Sequence, residues 1–97
     1  MEYMLNGGFL KSLINRKTQE ELGRVLIDKI NNYTIDSCFT SDCGYETAIK
    51  KQNSCWIIVE HYETFEDMKK GHKRYCESVK NNPSGYMDVN IGMYREF

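Results

Sequence analysis

The residues of this 97-residue chain whose chemistry is most distinctive lie between Thr64 and Lys80. His72 and Cys76 are four positions apart, which places an imidazole and a thiol on one face of a helix. A histidine and a cysteine at this spacing can bind one zinc ion, so the two are candidate metal ligands. They could also form a Cys/His nucleophile pair, but Cys76 comes late in the helix, where the helix dipole disfavours a thiolate.

The helical pattern itself favours a third interpretation of His72. With about 100° between successive residues, the imidazole falls in the middle of an apolar arc. The arc consists of Phe65, Met68, Tyr75, Cys76 and Val79. A buried imidazole destabilises a fold unless it has a hydrogen-bond partner. We therefore expect His72 to be a core histidine held by a hydroxyl of the sheet or by a backbone carbonyl.

Two more potential ligands, Cys55 and His61, share one face of a predicted strand. They are about 20 Å apart by strand rise, so at most one of them can join His72 and Cys76. The chain has no paired Cys-x-x-Cys motif. We expect no catalytic residue, no cofactor and no bound metal, with His72 and Cys76 as the candidate ligands if a metal is bound.

The cysteines and the N-terminal residues bear on the compartment. Residues 1–10 lack the features of a signal peptide, so we expect a cytoplasmic protein with reduced thiols. If a disulfide forms, the pair that we expect is Cys38 and Cys43, because a short turn lies between them.

The first third of the chain is predicted to be helical. Leu10, Leu13 and Ile14 predict a short helix over residues 8–15. Thr18 and Glu21 form a capping box, which predicts a second helix that runs to Asn31. Its apolar stripe is Leu22, Leu26 and Ile30. A glycine inside this helix, Gly23, predicts a close contact with another backbone.

The rest of the chain predicts a β-β-β-α-β unit. Strands are expected over residues 33–40, 45–50 and 55–62, and the short turns between them indicate an antiparallel meander. Thr64 caps a helix that extends to Lys80. The apolar alternation of residues 86–94 predicts a last strand, with Met87, Val89, Ile91 and Met93 on one face.

The predicted fold class is therefore α+β, with a four-stranded, mainly antiparallel sheet and N-terminal helices packed on one face. The sheet consists of the three-strand meander and, after a helix, a fourth strand. We expect one domain over residues 1–97, divided into a helical segment, 1–32, and the β-β-β-α-β unit, 33–97.

Composition excludes several classes of protein. Thirteen Lys and Arg residues face 14 Asp and Glu residues, for a net charge of −1. This balance argues against a general nucleic-acid binder and against a DNA mimic. No apolar run approaches the ~20 residues that span a bilayer, so we expect no membrane partner.

Two sets of side chains are candidates for binding a partner. Basic residues follow the outer face of the 64–80 helix, where a solvated face and an acidic partner are both compatible with the pattern. Aromatic residues make up 12% of the chain, and several tyrosines lie at predicted strand ends, as in recognition surfaces. The candidate partner-binding residues are Tyr33, Tyr62, Tyr86, Tyr94, Lys69, Lys73 and Arg74.

Short motifs between Tyr45 and Lys80 resemble a group of small, uncharacterised phage and prophage proteins. The motifs are Tyr45-Glu46-Thr47, a strand containing Trp56, Tyr62-Glu63-Thr64-Phe65-Glu66 and Gly71-His72. The group has no established activity, so the resemblance assigns no catalytic residue. It implies a phage or mobile-element accessory gene that acts in a bacterial cytoplasm. Residues 1–44, with Cys38 and Cys43, lie outside the resemblance.

Three functions follow as hypotheses. The first is a non-enzymatic accessory protein that binds and inhibits or redirects a host protein, as anti-defence and anti-CRISPR proteins do. The second is a homo-oligomeric structural or assembly protein of a phage, which pairs with copies of itself through an exposed sheet edge. The third is a small zinc-dependent or thiol-dependent protein.

Overall fold

A computed structural model of the chain describes residues 18, 20, 23–41 and 43–97. The helix expected over residues 8–15 lies outside these residues. The strands are β1 (Leu26–Ile30), β2 (Tyr33–Thr40), β3 (Gly44–Lys51), β4 (Ile57–Tyr62), β5 (Gly85–Asp88) and β6 (Met93–Glu96). The helix α1 (Phe65–Ser78) is followed by a 3₁₀ turn (Val79–Asn81). An α+β fold is confirmed.

Strands β1 to β4 form one antiparallel sheet in chain order. The three strands expected between residues 33 and 62 are confirmed, as are the turns between them. A further turn, Asn31-Asn32, joins β1 to β2, and Asn31 has a φ of 55° there. Asparagine tolerates this left-handed conformation better than most residues do, which suits it to such a turn.

The expectation of a helix that continues to Asn31 is wrong, because residues 26–30 form β1. Gly23 has a φ of 72°, outside the right-handed helical region, so a helix cannot pass through it. No atom lies within 4 Å of a Cβ built at Gly23, so the expected close backbone contact is also wrong. Positions 26 and 30 share one side of a helix, but they also share one face of a strand, which left the pattern ambiguous. Thr18 and Glu20 are helical, whereas Glu21 of the capping box lies outside the described residues.

Helix α1 begins as the sequence predicts. The side chain of Thr64 accepts a hydrogen bond from the backbone N–H of Asp67 at 3.1 Å, which caps the helix. Met68, Gly71 and His72 are the buried residues of α1. They lie against the face of the sheet that carries Ile35, Ser37 and Thr47.

The single last strand that the alternation predicts is instead a hairpin. Strands β5 and β6 pair with each other in a separate two-stranded sheet. The side chain of Asp88 accepts from the N–H of Asn90 at 3.0 Å, and Gly92 takes a φ of 71°, so residues 89–92 turn the chain back. The expected fourth strand of the main sheet is therefore wrong. The expected single face of Met87, Val89, Ile91 and Met93 is wrong too, because Met87 pairs with Tyr94, Met93 pairs with Asp88, and residues 89–92 are in the turn. The hairpin is joined to β4 by a hydrogen bond of 2.9 Å from Val89 N–H to the carbonyl of Ile58.

The hydrophobic core lies between the main sheet and α1. It contains Tyr33, Ile35, Ile49, Ile57, Val59 and Val79, together with Met68. None of the described residues belongs to a helix with the length and apolar character that crossing a bilayer requires.

Candidate functional site

His72 is at the centre of a buried polar network between α1 and the sheet. Its Nδ1 lies 2.6 Å from Oγ of Ser37 in β2, and its Nε2 lies 2.8 Å from Oδ2 of Asp28 in β1. Only 5% of the residue is exposed. The expectation that His72 is buried and held by a hydroxyl of the sheet is confirmed.

The network continues across the sheet through hydroxyl groups. Ser37 and Thr47 are register partners on β2 and β3, and their side-chain oxygens are 2.6 Å apart. Thr47 in turn lies 2.9 Å from the hydroxyl of Tyr62 on β4. Ser37 and Thr47 are fully buried. Since a hydroxyl both donates and accepts, each hydrogen bond in the series can run in either direction.

Gly71 allows Tyr62 to occupy its place in the network. A Cβ at position 71 would lie 2.1 Å from the Tyr62 hydroxyl oxygen and 2.4 Å from its ring. Any larger residue at position 71 would require the Tyr62 ring to move. Four residues of the short motifs described above, Thr47, Tyr62, Gly71 and His72, thus form this contact between α1 and the sheet, and Thr64 caps the helix.

Serine, histidine and aspartate in contact resemble a nucleophilic triad in composition. A nucleophile must reach its substrate, however, and Ser37 is 0% exposed. In this arrangement, the hydroxyl of Ser37 satisfies the buried imidazole and the neighbouring threonine. The chemistry that it supports is hydrogen bonding between two layers of the fold.

Sequence reasoning missed Ser37 and Asp28. Ser37 follows Tyr33 and Ile35 at the period of two, and a polar residue at that inward position is the signal that could have found it. The sequence pattern predicts a helix at Asp28, so it does not indicate that this residue lies on the edge strand β1 beside α1.

Cys76 lies one helical turn after His72, and its thiol donates to Oδ2 of Asp28 at 3.6 Å. The donor atoms of Asp28, His72 and Cys76 all lie within 4.8 Å of one another. Burial, with the nearby Asp28 carboxylate, raises the pKa of the Cys76 thiol to about 11. Cys76 is therefore a thiol at neutral pH, and its reactivity as a nucleophile is low.

This three-residue group opens onto a surface cavity of about 420 Å³. The cavity is lined by Leu26, Ile30, Lys69 and Lys73 in addition to the three donors. It is the only place where the described residues bring His72 and Cys76 together with a third potential metal ligand.

The other potential ligands lie elsewhere. His61 is 2.8 Å from Oδ1 of Asn90 and 3.8 Å from Glu46, and it groups with Cys43 and Glu46. Neither His61 nor Cys55 joins His72 and Cys76. Burial raises the pKa of the Glu46 carboxyl, and the attraction of His61 offsets part of that increase. The structure describes all four cysteines and joins none of them in a disulfide.

The hydroxyls of all four candidate partner-binding tyrosines are hydrogen-bonded within the fold, that of Tyr94 to Ser84 at 2.8 Å. Tyr33 is 2% exposed and its hydroxyl donates to the carbonyl of Pro83 at 2.7 Å, so its ring is not available to a partner. Tyr62 and Tyr86 are half-buried, and their hydroxyls bond to Thr47 and Ser78. Tyr94 is 53% exposed and is the tyrosine of the set that faces solvent most fully.

The outer face of α1 carries charges of both signs. Lys69 lies 3.6 Å from Glu66, and Arg74 lies 3.3 Å from Glu60. Lys73 is at the rim of the cavity beside Cys76. Paired charges such as Lys69–Glu66 and Arg74–Glu60 are typical of a solvated helix face.

An exposed apolar area that the sequence did not predict lies on the β5–β6 hairpin. We call it the hairpin surface, and it consists of Met87, Val89, Ile91, Met93 and Tyr94, which are 41–61% exposed. The segment from 87 to 94 contains one charged residue, Asp88. That carboxylate is buried and accepts a hydrogen bond of 2.9 Å from Arg95, so the hairpin surface itself is uncharged.

Comparison of this chain with protein-family models, with curated proteins and with solved structures found no match.

Proposed function

We propose that this chain is a non-enzymatic accessory protein that binds a host protein in the bacterial cytoplasm and inhibits or redirects it. The observation that carries the proposal is the hairpin surface, where five apolar side chains are exposed on one short element. Met87 and Tyr94 are cross-strand partners on one face, Met93 lies on the other, and Val89 and Ile91 are in the turn between the strands. Exposed apolar side chains concentrated on one element are typical of an interaction site.

The composition of the hairpin surface supports a protein as the partner. It presents no net charge, which suits the apolar centre of a protein interface and gives a phosphate backbone nothing to bind. Two of its five residues, Met87 and Met93, are flexible and polarisable, and methionine adapts well to the shape of a partner. Tyr94 adds a large aromatic area with a polar end.

The shape of the hairpin supports a partner other than a second copy. Residues 89–92 form an exposed turn, and a projecting turn fits a concave apolar site. Three surface cavities of this chain are each lined by charged side chains. The charged side chains include Glu60, Asp67 and Arg74 in the first cavity, Lys29 and Lys50 in the second, and Asp28 and Lys73 in the third. Leu26 and Ile30 also line one of these cavities, but the charged groups would lose hydration against the uncharged hairpin surface of a second copy, which disfavours docking there.

Burial of Ser37 and His72 supports the non-enzymatic part of the proposal, because the serine is closed to substrate. The phage-like motif supports the setting of a phage or mobile-element accessory gene. The inhibition of a host defence system, as by an anti-CRISPR protein, is the form of activity that this setting favours.

The test begins with capture from a lysate of the bacterium that carries the gene, followed by identification and purification of the captured protein. Affinity is then measured between the two purified proteins at physiological salt for wild type, Ile91→Asp and Ile27→Asp. Ile27 and Ile91 are 50% and 56% exposed, so the aspartate introduced by each substitution is exposed to solvent to a similar extent. Circular dichroism confirms that both variants fold.

We expect Ile91→Asp to weaken binding at least tenfold and Ile27→Asp to leave it unchanged. Equal binding by wild type and Ile91→Asp contradicts a role for the hairpin surface. Absence of any partner that binds the purified wild type at micromolar concentration contradicts the proposed function as a whole.

Self-assembly is the second candidate function, and a different observation favours it. Among the described residues, β6 pairs only with β5, so its outer edge is open to another strand. Light scattering of the purified chain distinguishes the candidates. A dimer or larger assembly that Ile91→Asp dissociates supports self-assembly and contradicts a host partner at this surface.

A further inference from the structure

We propose that Asp28, His72 and Cys76 form a binding site for one zinc ion at the junction of β1 and α1. The inference is independent of the hairpin surface and of the host partner. It rests on the spacing of three donor atoms, on the hydrogen bond behind the imidazole and on the opening of the site to solvent.

The donor atoms are close to the positions that zinc requires. Tetrahedral zinc with N, O and S ligands at about 2.0–2.3 Å places those ligand atoms roughly 3.3–3.6 Å apart. Oδ2 of Asp28 lies 2.8 Å from Nε2 of His72 and 3.6 Å from Sγ of Cys76, and the three atoms are all within 4.8 Å. Small side-chain movements therefore suffice to admit the ion. Cys76 and Asp28 are both partly exposed, so they are free to make them.

The hydrogen bond to Ser37 prepares His72 for this role. A histidine that binds metal through one ring nitrogen donates its other N–H to a fixed acceptor. When the ring carries one proton and no metal is bound, the acceptor-only carboxylate of Asp28 takes that proton's hydrogen bond from Nε2, and Nδ1 accepts from Ser37. With zinc on Nε2, Nδ1 carries the proton and donates to Ser37. The hydroxyls of Ser37, Thr47 and Tyr62 reverse their hydrogen bonds to match, and no buried group loses its partner.

The charges of the ligand set also suit a divalent ion. A carboxylate, a thiolate and a neutral imidazole carry a total charge of −2, so the loaded site is neutral beside Lys69 and Lys73. Binding releases the proton of the Cys76 thiol to solvent. The cavity leaves the fourth position of the ion open to water or to a ligand.

The experiment uses the full chain, stripped of metal by a chelator and kept reduced. It is titrated with zinc and, separately, with cobalt(II), whose thiolate complexes absorb in the near ultraviolet. The variants are Cys76→Ser, Asp28→Asn, Ser37→Ala and the two matched controls Cys43→Ser and Cys55→Ser. Circular dichroism is recorded for each variant before titration.

We expect one equivalent of zinc to bind wild type and both controls, with a thiolate-to-cobalt absorption. Cys76→Ser abolishes that absorption, and Cys76→Ser and Asp28→Asn weaken zinc binding at least tenfold. Ser37→Ala, which removes no ligand, weakens it roughly tenfold and keeps the absorption. Wild type that fails to bind one equivalent at micromolar zinc overturns the site. So does binding that is lost in Cys43→Ser and kept in Cys76→Ser, since it assigns the ion to the Cys43, Glu46 and His61 group.

Discussion

Oγ of Ser37 lies 2.6 Å from Nδ1 of His72, and this one contact joins the middle of β2 to the buried face of α1. Neither side chain is accessible to water to any useful extent. A buried polar group that loses its partner incurs the full cost of desolvation. The position of α1 on the sheet is therefore specified by a polar contact as well as by apolar packing.

Replacement of His72 tests that contact. His72→Ala removes a buried ring and leaves Ser37 without a partner from the helix, so we expect a loss of about 2–4 kcal/mol in the free energy of unfolding. Asp28→Ala is the matched variant, because the Asp28 side chain is 56% exposed and water replaces its contact. We expect it to cost less than about 1 kcal/mol. Urea denaturation of both variants measures the difference, and equal losses would contradict the network.

The close approach of Tyr62 to Gly71 predicts whether Gly71→Ala raises or lowers the free energy of unfolding. In an exposed helix interior, Gly→Ala stabilises by about 1 kcal/mol. At position 71 the new methyl group would lie 2.1 Å from the Tyr62 hydroxyl, so we expect Gly71→Ala to destabilise instead, by about 1–3 kcal/mol. In a Tyr62→Ala background the same substitution should cost much less, and a double-mutant cycle by urea denaturation measures that coupling. A stabilising Gly71→Ala in the wild-type background would show that the ring does not occupy this space.

We expect Glu46 to make the stability of the folded chain depend on pH. Burial raises the pKa of its carboxyl above the ordinary 4.5, so the folded state disfavours the charged form. This penalty is present at neutral pH and disappears as the pH falls below the unfolded value. We expect Glu46→Gln to raise the melting temperature at neutral pH and to leave it unchanged in acid. A lower melting temperature at neutral pH, or a gain that persists below pH 4.5, would contradict this assignment.

Much of the main sheet and of α1 is encoded locally. Residues 33–40 and 57–59 are rich in β-branched and aromatic side chains, and turn-forming residues separate the strands. The meander could therefore be predicted from the sequence. Thr64 marks the start of α1 because its side chain can accept a hydrogen bond from the backbone N–H of Asp67. These features depend on neighbours in the chain, which is why they could be predicted.

Two elements could not be predicted because local patterns fit more than one structure. The apolar positions 26 and 30 fit both a helix and a strand, and the positive φ of Gly23 decides between them. Alternation over residues 86–94 suggests one buried strand, but the Asx turn at Asp88 and the φ of Gly92 produce a hairpin. Its apolar side chains are consequently exposed.

The site was predicted only in part. Helical periodicity placed His72 on the buried face of α1, and that placement is confirmed. Its partners, Ser37 and Asp28, lie 35 and 44 positions away in the chain. Contacts at such separations depend on how β1 and β2 are registered, and no local pattern in one sequence specifies that.

Nitrogen NMR of the two histidines tests most directly whether Ser37 and Asp28 hold the imidazole of His72, and His61 serves as the exposed reference within the same chain. In metal-free protein at mildly alkaline pH, we expect His72 to populate one tautomer, with the proton on Nε2 toward Asp28 and an unprotonated Nδ1 that accepts from Ser37. Its ring N–H should exchange with water far more slowly than that of His61. A mixture of tautomers at His72, exchanging as fast as His61 does, would show that Ser37 and Asp28 do not hold the imidazole and would contradict the network.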